Sequence, residues 1–299
     1  MAKQVTILTG PPTVVPIATM KLLPIGIEAM MEWVGSHRPE CLPENADNWQ
    51  SLFPHDLTEP TLNDNDSRVL QARALTDNEL LVELAGRKCY DSFGLKAGKK
   101  TNSEYIKNTQ AGAVPHASIL YHAKMSFFIA GVSRRVSHEL IRNYVGADRD
   151  EEGSPSQEST RFTHHYGFFI EPPRYQLTDT PNAEYMRHQF KTSMELAYGA
   201  YREAIASEVE NYKVHNGREP TGIEKKRIYE AASSFLPHQA ETSFIWSTNP
   251  MAIAKFVRER ADGSADLEIQ RLARTWAKVA MDFAPNLFPQ PWMKEAAGT

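Results

Sequence analysis

Between Gly153 and Phe162 the chain reads GSPSQESTRF, a stretch dense in hydrogen-bonding groups and nearly bare of apolar ones. Its hydroxyls donate at short range and Arg161 offers a planar fork of two parallel charge-assisted bonds, a set that suits a phosphate monoester. A hydrophilic turn closed by Ser- or Asx-type caps has the same composition, and both readings stand at this point. Just upstream, Arg135, His138, Glu139 and Arg142 recur at three- and four-residue steps, so on a helix Glu139 and Arg142 share a face toward the loop that follows. Alone, that spacing is equally the mark of a solvated, ion-paired surface.

Other chemistries lack their signatures. Histidines stand at 116, 122, 138, 164 and 165, yet no His-x-x-x-His helix pair or His/carboxylate constellation accompanies them, and no metal is expected. No G-x-S-x-G elbow supports a serine hydrolase. Neither a lysine-bearing P-loop nor a G-x-G-x-x-G fingerprint occurs, so a nicotinamide or flavin would have to sit outside a Rossmann fold.

The elements that must position these groups are legible from periodicity. DNELLVELAGRKCYDS has a helical spacing at Leu80, Leu81, Leu84 and Ala85, with Asp77 as the expected N-cap. AKMSFFIAGV alternates as a strand and runs into SRRVSHELIRNY, a helix capped by Ser133. YGFFIEPPRY reads as a short strand stopped by two prolines. A long helix follows, with Met186, Phe190, Met194, Ala197, Tyr201, Ile205 and Val209 forming one stripe. Further helices are expected at IEKKRIYEAASSF, from near Asn249, and at LEIQRLARTWAKVAMDF. From about Pro39 to Asp66 no period is evident; the segment reads as a surface excursion, with regular structure resuming near Asp77. The class is α+β, helix-rich, with residues 1–75 as an N-terminal extension and 76–299 as the main domain.

Composition narrows the partners. A chain of 299 residues, 41% hydrophobic and 23% charged, is an ordinary globular one, and a formal charge of -4 gives no global attraction to a nucleic acid polymer or an anionic membrane. Two cysteines, Cys41 and Cys89, are too few for a disulfide framework and point to the cytoplasm. The apolar-leaning start is broken by Pro11, Pro12, Pro16, Lys21, Pro24 and Glu28, so it reads as neither a signal peptide nor a membrane span, but as folded or partner-covering surface.

Taken in order, these segments resemble the flavin-dependent thymidylate synthases. HASILYH (116–122) stands where that family has His-x-Ser/Thr-x-x-Glu-His, KMSFFIAGVSRR where it has a Phe-rich strand, and RNY (142–144) at its Arg-His-Arg. SPSQESTRF (154–162) stands at its Ser-x-x-Glu/Gln-x-Ser-x-Arg-Tyr, and WSTN (246–249) and RERADGSADLEIQ (258–270) at its Asn, Arg and Ala-Gln-x-Glu-Ile. The likeness runs from about Leu84 to the C-terminus. It implies a helix-rich fold with a small central sheet, in a homotetramer whose active sites draw on several subunits. It also implies FAD in an extended groove, and conversion of dUMP to dTMP with methylenetetrahydrofolate and NADPH.

Residue by residue, the resemblance places Gln157, Ser159 and Arg161 on the nucleotide and its phosphate, with Glu158 and Thr160 contributing backbone. It places Glu139 on the substrate side and Arg142 between nucleotide and flavin. His116, Ser118, Gln157, Asn249 and Lys255 fall on the flavin side, with Asn143 and Tyr144. Arg260 faces the uracil as the catalytic cation, stabilising charge as C5 becomes electron-rich.

The chain departs from the family pattern at Asn143 and Tyr144, where Arg-His-Arg loses an imidazole and a cation, and in VGADRDEEG, which is longer by about seven residues and brings Arg149 with four acids. Tyr121, Glu139, Ser233, Ser264 and Asp266 also replace a glutamate, a glutamine, a phosphate-binding arginine, a flavin-stacking histidine and a glutamine. These changes leave two further readings beside dUMP methylation. One is a C5 methylase or hydroxymethylase acting on UMP or a modified nucleotide; the other is a non-catalytic nucleotide- or flavin-binding relative.

Overall fold

The computed structural model describes residues 5–43, 46–63, 66–93, 98, 100–111, 115–145, 153–177 and 182–298; at 59–72, 142–145, 153 and 154 it describes the backbone alone. In chain order the elements are β1 (Thr6–Leu8), β2 (Thr13–Thr19), α1 (Pro24–His37), β3 (Thr58–Asn63), β4 (Asp66–Ala74), α2 (Asp77–Cys89), α3 (Asn102–Gln110), β5 (Met125–Ser133), α4 (Arg134–Val145), β6 (Gly153–Gln157), β7 (Phe168–Ile170), α5 (Ala183–Asn216), α6 (Ile223–Ala232), β8 (Glu241–Thr248), α7 (Pro250–Arg260), α8 (Leu267–Phe283) and α9 (Pro291–Ala297).

Alternation in β5 sets the centre. Met125, Phe127 and Ile129 turn inward and are fully buried, while β8 repeats the pattern with Thr242, Phe244, Trp246 and Thr248. The two strands pair in an antiparallel sheet of order β2-β5-β8-β6. Against its inner face lies α8, whose 3.6-residue stripe of Ile269, Leu272, Ala273, Trp276, Ala277 and Ala280 is buried. Trp276 is the hub, its ring centroid 5.5 Å from that of Phe127, 5.4 Å from Phe256 and 6.5 Å from Trp246. Burial of a ring of this size contributes roughly 2–3 kcal/mol. The outer face of the sheet leaves Val15, Phe128 and Ile245 exposed, with Phe128 opposite both of the others in register.

Residues before 76 are woven into this body. β2 is the edge strand beside β5, and β1 pairs in parallel with β7. Leu22, Ile27, Met31, Leu52, Phe53 and Leu75 share a core with Leu80, Leu84 and Phe93. The segment expected to lack regular structure carries a hairpin of β3 and β4, with a register shift between Leu62 and Asn63. A two-stranded ribbon satisfies its backbone through its own ladder and need not alternate apolar and polar residues, so no period announced it.

Two other expectations change in detail. Helix α2 is capped by Thr76, not Asp77: Thr76 and Glu79 form a reciprocal capping box, and Asp77 accepts from the Leu22 amide at 2.9 Å. On α5, Met194 and Tyr201 are buried together with Ala183 and Tyr198, whereas Met186, Phe190, Ala197, Ile205 and Val209 are only half-buried. At 34 residues the helix outruns the surface available to cover its stripe. Among the described residues no helix is long and apolar enough to cross a membrane.

A buried polar network ties the early segment to the core. The Glu83 carboxylate, fully buried, accepts from Arg87 Nε at 2.7 Å and Asn102 Nδ2 at 2.8 Å, and meets His55 Nε2 at 2.9 Å. Burial works against protonated His55, but the hydrogen bonds to Glu83 and to the Asp56 carbonyl outweigh it and the imidazole pKa is raised. Burial likewise opposes ionised Glu83, yet His55, Arg87 and Asn102 hold its pKa lowered. A raised histidine contributes stability that is fully present below its unfolded pKa of about 6.5 and is lost as pH rises through the folded value. His55→Gln is therefore expected to lose most relative to wild type near pH ~6, with the gap narrowing as pH rises above the ordinary histidine value. Urea midpoints across that range check this, and a pH-independent gap contradicts it.

Candidate functional site

Two arginines, Arg134 and Arg135, open α4, and its first turn carries no acid. Cations there oppose the helix dipole, so counter-charges must come from elsewhere in the fold. They arrive from two directions. Ser133 ends β5 and its hydroxyl accepts from Val136 N at 3.2 Å, the cap expected from sequence. Glu268, from the first turn of α8, accepts from Ser133 N at 2.8 Å, Ser133 Oγ at 2.9 Å and Arg135 at 3.2 Å. Asp266 caps α8 through Glu268 N at 2.9 Å and takes the Arg135 fork at 2.9 and 3.0 Å.

Arg134 turns the other way and donates to the Glu158 carbonyl at 2.8 Å. Burial lowers its pKa against the opposing charges of Glu158 and Glu241. Glu241 accepts from the Gly131 amide at 3.0 Å, and burial raises its pKa. Close by, His165 is pushed down to about 4, by burial first and then by the charges of Arg134 and His164. It is neutral at physiological pH, and its Nδ1 accepts from Gly167 N at 3.2 Å, which puts the proton on Nε2.

Onto this platform β6 delivers the hydroxyl-rich stretch. Gln157 donates through Nε2 to Ser137 Oγ at 3.0 Å and Thr242 Oγ1 at 3.1 Å, so α4 and β8 orient its amide. Glu158 N donates to the Ser243 carbonyl at 3.0 Å. The chain then reverses: the Ser159 carbonyl accepts from Phe162 N at 3.1 Å, Thr163 N at 2.9 Å and Thr163 Oγ1 at 2.8 Å, and Ser159 Oγ accepts from Arg161 N at 3.3 Å. GSPSQESTRF is thus a self-capped hydrophilic turn, with Arg161 exposed to solvent.

A second group forms where α4, the end of α7 and the start of α8 converge. Glu139 feels Asp266, Arg135, Arg260 and Glu268; burial and then Asp266 raise its pKa, with Arg135 and Arg260 opposing. The Glu139 and Arg260 of the sequence analysis are thereby brought together. Arg142, Asn143 and Tyr144 lie on the α4 backbone, but their side chains, like all of 146–152 including Arg149, fall outside the described residues.

The residues set on the flavin side form a different neighbourhood. His116 and Ser118 are exposed at the start of a 3-10 turn, Ala117–His122, and the Tyr90 hydroxyl lies 3.0 Å from the His116 ring nitrogens. Asn249 is buried, capping α7 through Oδ1 to Ala252 N at 2.9 Å, while its Nδ2 has no partner among the described residues. Lys255 is partly buried in mid-α7. Thr160 completes the nucleotide-side turn. The departures are spent internally: Ser233 Oγ donates to the Glu230 carbonyl at 2.8 Å and Ser264 Oγ to Asp262. Among the described residues no group of three or more His, Cys, Asp or Glu is placed to hold a metal ion.

Sequence reasoning gave no role to Arg134, Ser137, Glu241, Thr242 or Glu268, and weighed His165 only as a metal ligand. One signal was available, the two arginines at a helix N-terminus, where the dipole disfavours them without nearby anions.

Comparison with known proteins matches residues 70–286 to the family model described as thymidylate synthase complementing protein. The chain is 32% identical over 211 residues to a flavin-dependent thymidylate synthase of Mycolicibacterium vanbaalenii, covering 70% of this chain and 77% of that protein. It is 33% identical over 218 residues to one of Corynebacterium diphtheriae, covering 72% and 79%. Among solved structures it is similar to thymidylate synthase X from Helicobacter pylori with FAD and dUMP, at 20% identity and a TM-score of 0.47, covering 74% of this chain and 95% of that one.

Glu268 is buried and holds both Ser133 and Arg135, so Glu268→Gln removes the charge from three hydrogen bonds at once. A loss of about 1.5–3 kcal/mol is expected, read as a lower urea midpoint with an unchanged m-value. An unaltered midpoint contradicts the role given to this carboxylate.

Proposed function

The chain belongs to the flavin-dependent thymidylate synthase family, and from that premise we propose that it is a cytoplasmic enzyme that methylates C5 of a uridine nucleotide, dUMP being the substrate and dTMP the product. The observation that carries the nucleotide reading is the Ser159–Thr163 turn, which exposes Arg161 three residues after the Glu158 carbonyl that takes the Arg134 guanidinium. Ser159, Thr160 and Arg161 hold the phosphate; Gln157, its amide oriented by Ser137 and Thr242, faces the pyrimidine and the flavin edge. Arg142 bridges nucleotide and flavin.

Arg260 stabilises negative charge on the uracil, which raises electron density at C5. Glu139, whose pKa burial and Asp266 raise against the opposing charge of Arg260, sits as that arginine's neighbour on the substrate side. Ser159 is a ligand and no protein nucleophile is needed. FAD fits the donor set on the flavin side: an exposed imidazole and hydroxyl at His116 and Ser118, with Lys255, and the unpartnered Nδ2 of Asn249. The family resemblance assigns Asn143 and Tyr144 to the same side. The bound cofactors, FAD with NADPH and methylenetetrahydrofolate, supply the redox and one-carbon chemistry that these side chains lack.

A second reading is favoured by one observation. Ser233, where the family resemblance places a phosphate-binding arginine, bonds its own helix, so the phosphate side carries one cation fewer. That changed phosphate side suits a C5 methylase or hydroxymethylase whose nucleotide is held by a different set of sugar and phosphate contacts, UMP or a modified nucleotide. The purified protein is expected to show flavin absorbance that NADPH bleaches, and to release tritium from C5 of labelled dUMP. Release from UMP alone selects the second reading, and a protein that takes up no flavin overturns both. Arg161→Ala is expected to weaken dUMP at least ~10-fold while retaining flavin, the loss of a charge-assisted bond; Arg260→Ala is expected to lower turnover.

We also propose self-association, to a homotetramer. The open sheet face, with Val15, Phe128 and Ile245 side by side, is an apolar surface of the kind that oligomers cover. Phe128→Glu is expected to shift the light-scattering mass to a smaller species, and an unchanged mass removes this face from the interface.

A further inference from the structure

Helix α6 runs alongside the Ser159–Thr163 turn, and one stripe of it faces that turn. Lys226 Nζ lies 4.8 Å from the centroid of the Phe162 ring, the Tyr229 ring 6.2 Å from the His164 imidazole, and Glu230 Oε1 3.5 Å from Arg161 Nε. Positions i, i+3 and i+4 share a helix face, and Ser233 continues it. The side of the turn that presents Arg161 is therefore walled by a cation, an aromatic ring and a carboxylate.

Glu230 and Arg161 are each half-exposed, so their ion pair is screened by water and exchanges readily. It adds little to the fold. It does occupy the guanidinium, and a guanidinium fork engaged by a carboxylate is not free to give both bonds to a phosphate. Lys226 stands four residues before Glu230, the spacing of a helical ion pair, and offers the displaced carboxylate a second partner.

Resting on the reading of this turn as the phosphate subsite, we propose that Glu230 is a specificity-determining residue of the nucleotide site: an internal counter-ion that a substrate phosphate must displace from Arg161. The carboxylate opposes an incoming ligand in proportion to its negative charge. It weakens a dianionic nucleotide while leaving a neutral nucleoside unaffected, so its effect depends on what the ligand carries at the 5′ position.

The test is calorimetric titration of the full-length protein and its variants with dUMP and with deoxyuridine. Glu230→Gln is expected to tighten dUMP about two- to five-fold, the scale of an exposed ion pair, with deoxyuridine unchanged. In an Arg161→Ala background the same substitution is expected to have no effect on dUMP. Unchanged or weaker dUMP binding by Glu230→Gln overturns the proposal, as does equal tightening of deoxyuridine or an effect that survives without Arg161. Wild-type protein that does not bind dUMP overturns the phosphate-subsite reading and this inference with it, whereas normal wild-type binding with an indifferent Glu230 overturns this inference alone.

Discussion

The junction between β5 and α4 is held by a single buried carboxylate. Glu268 reaches across from α8 to take the amide and hydroxyl of Ser133 and one arm of Arg135. Burying a carboxylate is costly unless donors replace its lost hydration, and these three bonds supply them. Through it the helix that fills the core also sets the direction in which α4 leaves the sheet. The groups on α4, from Arg134 at its head to Glu139 about a turn and a half on, take their position from that bond set.

Among the described residues the charges around the candidate site are arranged in matched pairs, not as a basic patch. Arg135 answers Asp266 and Glu268, Arg134 lies among the Glu158 carbonyl and the carboxylates of Glu158 and Glu241, and Arg161 meets Glu230. Such a surface exerts little long-range pull, consistent with a chain of net charge -4. Recognition then depends on exchanging one partner for another at contact distance. That makes geometry, more than field strength, the source of selectivity.

What was legible in the sequence was set by local or periodic physics. The alternation of Met125, Phe127 and Ile129 and the stripe of α8 follow from one-sided burial, and the cap at Ser133 follows from a backbone group three residues away. What escaped was set by contacts between distant segments. Glu268 and Ser133 are 135 positions apart, and nothing near either residue announces the other. Thr76 and Asp77 are both competent caps; the amide of Leu22, from a segment with no visible period, claims Asp77 and leaves the cap to Thr76. At the candidate site, the Gln157–Arg161 stretch was conspicuous because its polar groups stand together in sequence. His165 and Glu241 were not, because an isolated buried polar residue looks like any other in a one-dimensional string.

The pairing of the first strands has a consequence in time. β1 meets β7 through Thr6 and Phe168, and β2 meets β5 through Thr13 and Ala130, so both early strands wait for partners made far later. During synthesis Val14, which the finished fold buries, emerges with nothing to cover it until more than a hundred further residues have left the ribosome. Closure of loops this long is slow, and an unpaired strand is prone to meet a foreign edge first. The nascent chain is thus most exposed to misassembly in the interval before β5 is translated, and chaperone demand should concentrate there.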